Sequence, residues 1–479
     1  MFTEDGKKTF RENTVSNPRM HSDWCSMMYP RLVLARNLLS DDGLIFISIG
    51  DEEVNNLRQI CDEVFGEANF RNQIVVRRGP KSVQAQFETW DKLGQGLEYI
   101  LLYSRNPNYR FPRQMKLLDE AKQGGWNNHW RGTDRPTMRY PLFGITPKSG
   151  QWRWGKERSE KAIENYFKML SDVGETQDTI TQEQIDAWYL KQDDSSIDLL
   201  RLSKKGKPEH YIPPTNEIVL NNSWVDLLIG SSSEITSLFG KAVFDTAKLT
   251  AVLTRMIGLV SKDGIILDFF SGSATTAHAV MKQNAEDGGK RKYIMVQLPE
   301  VCDENSEAYK AGYKNICEIG KERIRRAGDK IKAEYKDKPG IENLDIGFRV
   351  LKLDSTNMND VYYAADEYTQ DMLFHMESNI KSDRTDMDLL FGCLLDWGLP
   401  LSMPHTQEKI EGFTVHTYND GDLIACFEEH VPESVVREIA KRKPLRAVFR
   451  DSSFISSPEK INVFEIFKLL APNTSVKVI

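Results

Sequence analysis

Apolar residues recur with helical spacing at Trp24, Met27, Met28, Leu32, Leu34, Ala35 and Leu38, which predicts a helix over 21–39. Pro30 falls inside that pattern and predicts a kink or a break, because proline removes a backbone donor and crowds the preceding turn. Asp41-Asp42-Gly43 reads as a turn. Leu44-Ile45-Phe46-Ile47-Ser48-Ile49 is then almost continuously apolar, as expected of a strand buried on both faces. A second helix is expected over 52–64, closed by Phe65-Gly66, with further strands over 74–76 and 97–103. Alternation of this kind predicts an α/β domain, a mostly parallel sheet flanked by helices.

The rhythm breaks between 111 and 220. Trp126, Trp130, Trp152 and Trp154 cluster there with Arg131, Arg135, Arg139 and Arg153, and amphipathic helices are expected over 157–171 and 181–191. The segment reads as an inserted domain. The α/β pattern then resumes with a helix over 246–260, a strand over 264–270, a helix over 273–284 and a strand over 293–297. A helical stretch near 306–335 leads to a strand over 347–353. The tail reads as a mixed domain, with helices over 385–397 and 432–441 and strands over 413–417, 422–427 and 445–449. The expected organisation is therefore 1–110, 111–220, 221–359 and 360–479.

Charge changes this picture most. The net charge of −7 argues against a polyanionic partner, but the average hides an asymmetry. From Arg71 to Arg158 there are 17 Lys/Arg against 7 Asp/Glu, so the remainder of the chain is strongly acidic. A basic block inside an acidic protein suits a phosphate backbone; the alternative is a solvated charged face. The tryptophans of this block either build the insert's core or, beside arginine, stack on bases. Six scattered cysteines without a CxxC pair, and eight histidines without ligand spacing, indicate neither a disulfide framework nor a metal site. No apolar run approaches the roughly 18 residues of a membrane span, and the polar N-terminus is not a secretory signal. A reducing cytoplasm fits best.

The most informative run is Ile265-Ile266-Leu267-Asp268-Phe269-Phe270-Ser271-Gly272-Ser273-Ala274-Thr275-Thr276. An apolar strand ends in an acid, a small-residue turn follows, and a helix opens. This is how α/β proteins present strand ends and helix N-termini to nucleotide-like ligands. Gly272 and Ser273 allow close approach of the backbone, and Asp268 can hold a positive or hydroxylated group. A plain buried strand–helix unit is the alternative. A nicotinamide-dependent oxidoreductase is disfavoured, since GxGxxG is absent.

The run resembles the S-adenosylmethionine motif of amino-methylating DNA methyltransferases, D-x-F-x-G-S-G/A-T-T, whose acid meets the cofactor's amino end. The wider chain resembles the modification subunit of type III restriction–modification systems, a family of adenine-N6 DNA methyltransferases whose catalytic half precedes the cofactor half. The resemblance rests on His21-Ser22-Asp23-Trp24, Met27-Met28-Tyr29-Pro30-Arg31-Leu32, 40–49, Cys61-Asp62-Glu63-Val64-Phe65-Gly66-Glu67, and Phe244-Asp245-x-x-Lys248. It continues through Gln297-Leu298-Pro299-Glu300, Glu322-Arg323-Ile324-Arg325-Arg326-Ala327-Gly328 and Ala447-Val448-Phe449-Arg450-Asp451-Ser452-Ser453.

The resemblance implies a Rossmann-like S-adenosylmethionine-dependent sheet, a target-recognition insert, and a C-terminal mixed α+β domain that is the candidate for dimerisation. It implies double-stranded DNA, a second copy of the chain and a restriction subunit with helicase and nuclease activity as partners. Cofactor contacts are expected from Lys248, Asp268, Phe269, Ser271, Gly272, Ser273, Thr275, Thr276 and Gln297, and DNA contacts from Arg77, Arg78, Lys81, Arg131, Arg135, Arg139 and Arg153. Alternatives stand beside several of these. Lys248 could instead cap a helix, where leucine follows it in place of the family's proline. Gln297 and Glu300 could be solvated strand-end residues, and His278 reads better as a packing residue than as a base. One family feature is missing. The catalytic Asp-Pro-Pro-Tyr does not occur; the only Pro-Pro pair, Pro213-Pro214, stands between Ile212 and Thr215. In the family that loop lies just upstream of the region where this sequence begins, so an N-terminal truncation is expected, with a central strand missing beside 264–270 and its ladders unpaired.

Overall fold

A strand that crosses to a parallel neighbour needs a helix to carry it back, and the first part of the chain supplies one. The computed structural model describes residues 18–78, 95–192, 197–230, 232–359 and 380–479. Helix α1 (Met20–Leu38) runs through Pro30 without a break, contrary to expectation. Its Met28, Leu32 and Ala35 are buried in the core, and packing of that face holds the helix despite the lost hydrogen bond. Strand β1 (Leu44–Ile49), helix α2 (Val54–Phe65), strand β2 (Phe70–Arg77) and strand β3 (Leu97–Ser104) follow. β3 inserts between β1 and β2 and is antiparallel to both, so β1 and β2 run the same way with α2 as their crossover.

The insert is framed by an antiparallel ribbon, β4 (Met115–Lys122) with β10 (Thr215–Val219), by which the chain leaves and returns. Between them lie β5 (Gly125–Asn128), β6 (Trp130–Arg131), β7 (Gln151–Trp152), α3 (Lys156–Val173), α4 (Gln182–Leu190), β8 (Leu200–Leu202) and β9 (Pro208–Ile212). β5, β9 and β8 form one sheet, and β6 pairs with β7. The expected helices are present. The strands were not readable, because segments such as Met-Lys-Leu-Leu-Asp-Glu-Ala-Lys carry more charge than alternation.

Strand β11 (Ser223–Leu228) adds to β2 in parallel, completing a four-stranded sheet of order β1-β3-β2-β11. Three of its four strands point one way, and β3 is the reversed one. After α5 (Ser232–Phe239) and α6 (Thr250–Ile257), strand β12 (Ile265–Asp268), helix α7 (Thr275–Asp287) and strand β13 (Lys292–Met295) form a parallel βαβ unit. Ile266 and Tyr293 pack with Ile257, Ala279 and Val280, while Ile265, Leu267 and Ile294 face out. Among the described residues β12 is hydrogen-bonded to β13 alone. Helices α8 (Glu307–Lys310) and α9 (Ile316–Glu334) close this part.

The chain divides into two units, 1–346 and 347–479. The expected strand over 347–353 is absent: Val350, Leu351 and Leu353 are exposed and meet no ladder, and alternation without a partner edge does not make a strand. The second unit contains α10 (Asp386–Asp396), β14 (His405–Ile410), β15 (Phe413–Tyr418), β16 (Leu423–Cys426), α11 (Glu433–Lys441), β17 (Arg446–Phe449), α12 (Ser457–Leu470) and β18 (Ser475–Val478). Its five strands pair in chain order, antiparallel at first and parallel from β16 onward, where α11 and α12 are the crossovers. Val435, Ile439, Phe449, Val463 and Phe467 build its core.

Candidate cofactor site and nucleic-acid surface

Strand β12 ends at Asp268, and α7 begins at Thr275. The residues between must reverse the chain without leaving buried amides unpaired. Asp268 does much of this. Its Oδ1 accepts from the Phe270 amide at 3.1 Å, and its Oδ2 accepts from Thr276 Oγ1 at 2.6 Å. The acid thus ties the strand end to the first turn of the helix. Ser271 is held on β13's extension, its amide donating to Val296 O at 3.2 Å. Gly272 sits at φ +49° and Ala274 at φ +59°, the left-handed region that side chains resist. The Phe244 ring lies 3.6 Å from where a Gly272 Cβ would stand.

Gln297 Oε1 accepts from the Gly272 amide at 2.7 Å. Phe269 packs toward the core of α1 and α2, whereas Phe270 is 58% exposed. Ser273, Thr275 and Thr276 are buried. Lys248 is engaged on β3. Its Nζ donates to Glu98 Oε2 on β3 at 3.1 Å, and Glu98 also faces Arg78. The structure therefore brings Asp268, Phe269, Ser271, Gly272, Ser273, Thr275, Thr276 and Gln297 together and pairs Lys248 with the four-stranded sheet.

One residue of the site was missed. Arg323 on α9 is fully buried beneath the loop and donates to Ser273 Oγ and Thr275 Oγ1. Burial lowers its pKa to about 10, against the opposing pull of Glu234. Nearby His278 is also buried, and burial with the Arg323 charge pushes it down to about 4, so it is neutral at pH 7. A signal was available: Ile319, Arg323, Ala327 and Ile331 are four apart, so the arginine occupies the apolar stripe of an amphipathic helix.

In the insert, Trp126, Trp152 and Trp154 join core clusters, while Trp130 stays 42% exposed with its indole donating to Ser149 O. The core reading thus holds for three of the four. His129 and His210 lie within this packing; burial lowers both pKa values, that of His129 to about 3. The insert's positive charge at pH 7 is therefore carried by lysine and arginine. Arg131 and Arg135 are exposed. Arg139 is bonded to Gly150 O and paired with Asp134, and the Arg153 Nε is buried without a partner. Arg77 is exposed at the end of β2, Arg78 bonds Gln95, and Lys81 lies outside the described residues. Among the described residues no group of three His, Cys, Asp or Glu could hold a metal, and no helix is long and apolar enough to cross a membrane.

Residues 5–325 match the family described as DNA methylase. The StyLTI type III Mod subunit of Salmonella typhimurium is 34% identical over 357 residues, which cover 73% of this chain and 51% of that protein. The EcoPI type III Mod subunit of Escherichia phage P1 is 26% identical over 97% of this chain and 74% of its own length. The type II methyltransferase M.KpnI of Klebsiella pneumoniae is 30% identical over 65% of this chain and 75% of its own length. The chain thus spans about half the length of the Salmonella subunit and about three quarters of the other two. These relatives bear out the resemblance drawn from the sequence: the chain belongs to the DNA methylase family.

Proposed function

We propose that the chain is the DNA-modifying part of a type III restriction–modification system, an adenine-N6 methyltransferase that takes its methyl group from S-adenosylmethionine. The observation that carries this reading is the 268–276 reversal, a strand-end acid tied to a helix start around a left-handed turn. The residues fit the cofactor. A carboxylate offers about four acceptor positions, and Asp268 uses two of them within the loop, leaving capacity for an ammonium group. Gly272 presents backbone without a Cβ, and Phe270 offers an exposed ring face. When bound, S-adenosylmethionine supplies a methyl group already activated on a sulfonium. The chain's residues bind and orient; the reaction needs no covalent enzyme intermediate. Gln297 keeps one lone pair on Oε1 and one N–H on Nε2 beyond its bonds to the Gly272 amide and Leu298 O, enough for a ribose contact.

For DNA, the reading rests on the local charge excess and on exposed Arg131 and Arg135 in the insert. A restriction subunit and a second copy of this chain are the proposed partners, with residues 347–479, a unit with its own core, as the self-association element. A cytoplasmic location is proposed with them.

A second reading is favoured by one observation. Asp-Pro-Pro-Tyr is absent from the 479 residues, and Pro213-Pro214 lies between β9 and β10 of the insert, not at the cofactor loop. On this reading the chain binds cofactor and DNA without turnover.

Asp268→Ala is expected to weaken S-adenosylmethionine binding at least about tenfold, or about 1.4 kcal/mol, in calorimetry. Unchanged affinity in a folded variant would remove the loop from the cofactor site. On the second reading the 479-residue chain transfers labelled methyl groups to mixed-sequence DNA at less than about one per minute, and faster turnover would sink that reading in favour of the first. Arg131→Ala with Arg135→Ala should flatten the slope of log affinity against log salt by about 1 to 2, whereas Arg139→Ala, already paired with Asp134, should alter it little. An unaltered slope in the double variant would place the DNA surface elsewhere. Deleting residues 347–479 should convert a dimer to a monomer in light scattering; a persisting dimer would locate the interface in residues 1–346.

A further inference from the structure

A buried arginine is a poor way to stabilise a fold. Its desolvation offsets most of what its ion pair returns, and well-packed apolar side chains often serve as well. Arg323 is fully buried nonetheless, and its Nε–H is left without an acceptor. Its other donors explain why it is there. One terminal nitrogen, Nη1, donates to Ser273 Oγ at 3.0 Å and Thr275 Oγ1 at 2.7 Å. The other, Nη2, is anchored on Glu234 Oε2 of α5 at 3.0 Å and on Thr250 Oγ1 of α6 at 3.3 Å. Glu234 is itself fixed by the amide and hydroxyl of Thr250.

The two hydroxyls that Nη1 grips flank Ala274, the residue held at φ +59°. Helix α9 also touches the turn with its backbone side: a Cβ on Gly320 would stand 3.5 Å from Gly272 O and from the Ala274 Cβ. The loop is thus held by Gln297 at the Gly272 amide and by Arg323 at the Ser273 and Thr275 hydroxyls. The grip needs a forked, planar donor, since one nitrogen serves two acceptors while the other stays on its anchor.

We propose that Arg323 is a positioning residue for the cofactor loop, holding residues 272–275 in the conformation that receives S-adenosylmethionine through the hydroxyls of Ser273 and Thr275. The inference rests on the cofactor reading of the 268–276 loop. It assigns those two hydroxyls a structural duty facing α9.

The test compares Arg323→Gln, Arg323→Lys, Thr275→Val and the Arg323→Gln/Thr275→Val double variant with the unaltered full-length chain. Two quantities are read: calorimetric affinity for S-adenosylmethionine, and amide exchange of residues 271–276 without ligand. Arg323→Gln should weaken affinity about tenfold and speed loop exchange by a similar factor, while exchange within β12 and β13 stays protected. Thr275→Val should do the same more weakly, and the double variant should be no worse than Arg323→Gln, because both substitutions break one linkage. Arg323→Lys should not restore affinity, since a lysine keeps the charge beside Glu234 but loses the fork. Additive effects, rescue by lysine, or unchanged loop exchange would overturn the proposal. If Arg323→Gln fails to fold, Thr275→Val and Ser273→Ala carry the same comparison. Failure of the unaltered chain to bind S-adenosylmethionine would sink the cofactor reading, while ligand-free exchange would still decide whether Arg323 holds the loop.

Discussion

Six residues separate the end of β12 from the start of α7, and within them the chain turns from extended to helical. Everything around the site serves that reversal. A residue in the left-handed region is strained unless its surroundings determine it. Here Asp268 holds the two ends, Gln297 the Gly272 amide and Arg323 the Ser273 and Thr275 hydroxyls. They come from the end of β12, the segment after β13 and α9, so the loop's geometry is a product of how these parts assemble.

Charge in this chain is handled in two ways. Around the loop it is buried and consumed: Arg323 with Glu234, and His278 kept neutral beside them. Around the insert it is partly spent on neighbours. Lys116 and Arg255 share Asp226, Arg158 pairs with Asp198, and Arg139 with Asp134. The basic excess counted from the sequence is therefore an upper bound on the positive surface. The positive surface itself is the subset of lysines and arginines that side-chain packing leaves exposed.

The aromatic residues of the insert follow the same logic. Arg201 lies 3.9 Å over the Trp126 ring in a part-buried contact, whereas Arg158, 4.6 Å over Trp154, stays exposed. The same residue pair in a sequence also suits a nucleic-acid surface, and only burial separates the two.

The sequence by itself determined the strand–turn–helix at 265–287, most helices of both units and the family. Each is written in local periodicity or in a contiguous motif. Asp268 was legible as the residue that ends the apolar strand and opens the turn, but its bonds to the Phe270 amide and Thr276 hydroxyl were not. Tertiary structure alone decided that β3 reverses between β1 and β2, that 347–353 forms no strand, and that Lys248 pairs with Glu98. It alone placed Arg323 under a loop about fifty residues earlier in the chain. The reason is physical: strand pairing, burial and ion-pair choice depend on which distant residues come within a few ångströms, and spacing along one chain does not encode that distance.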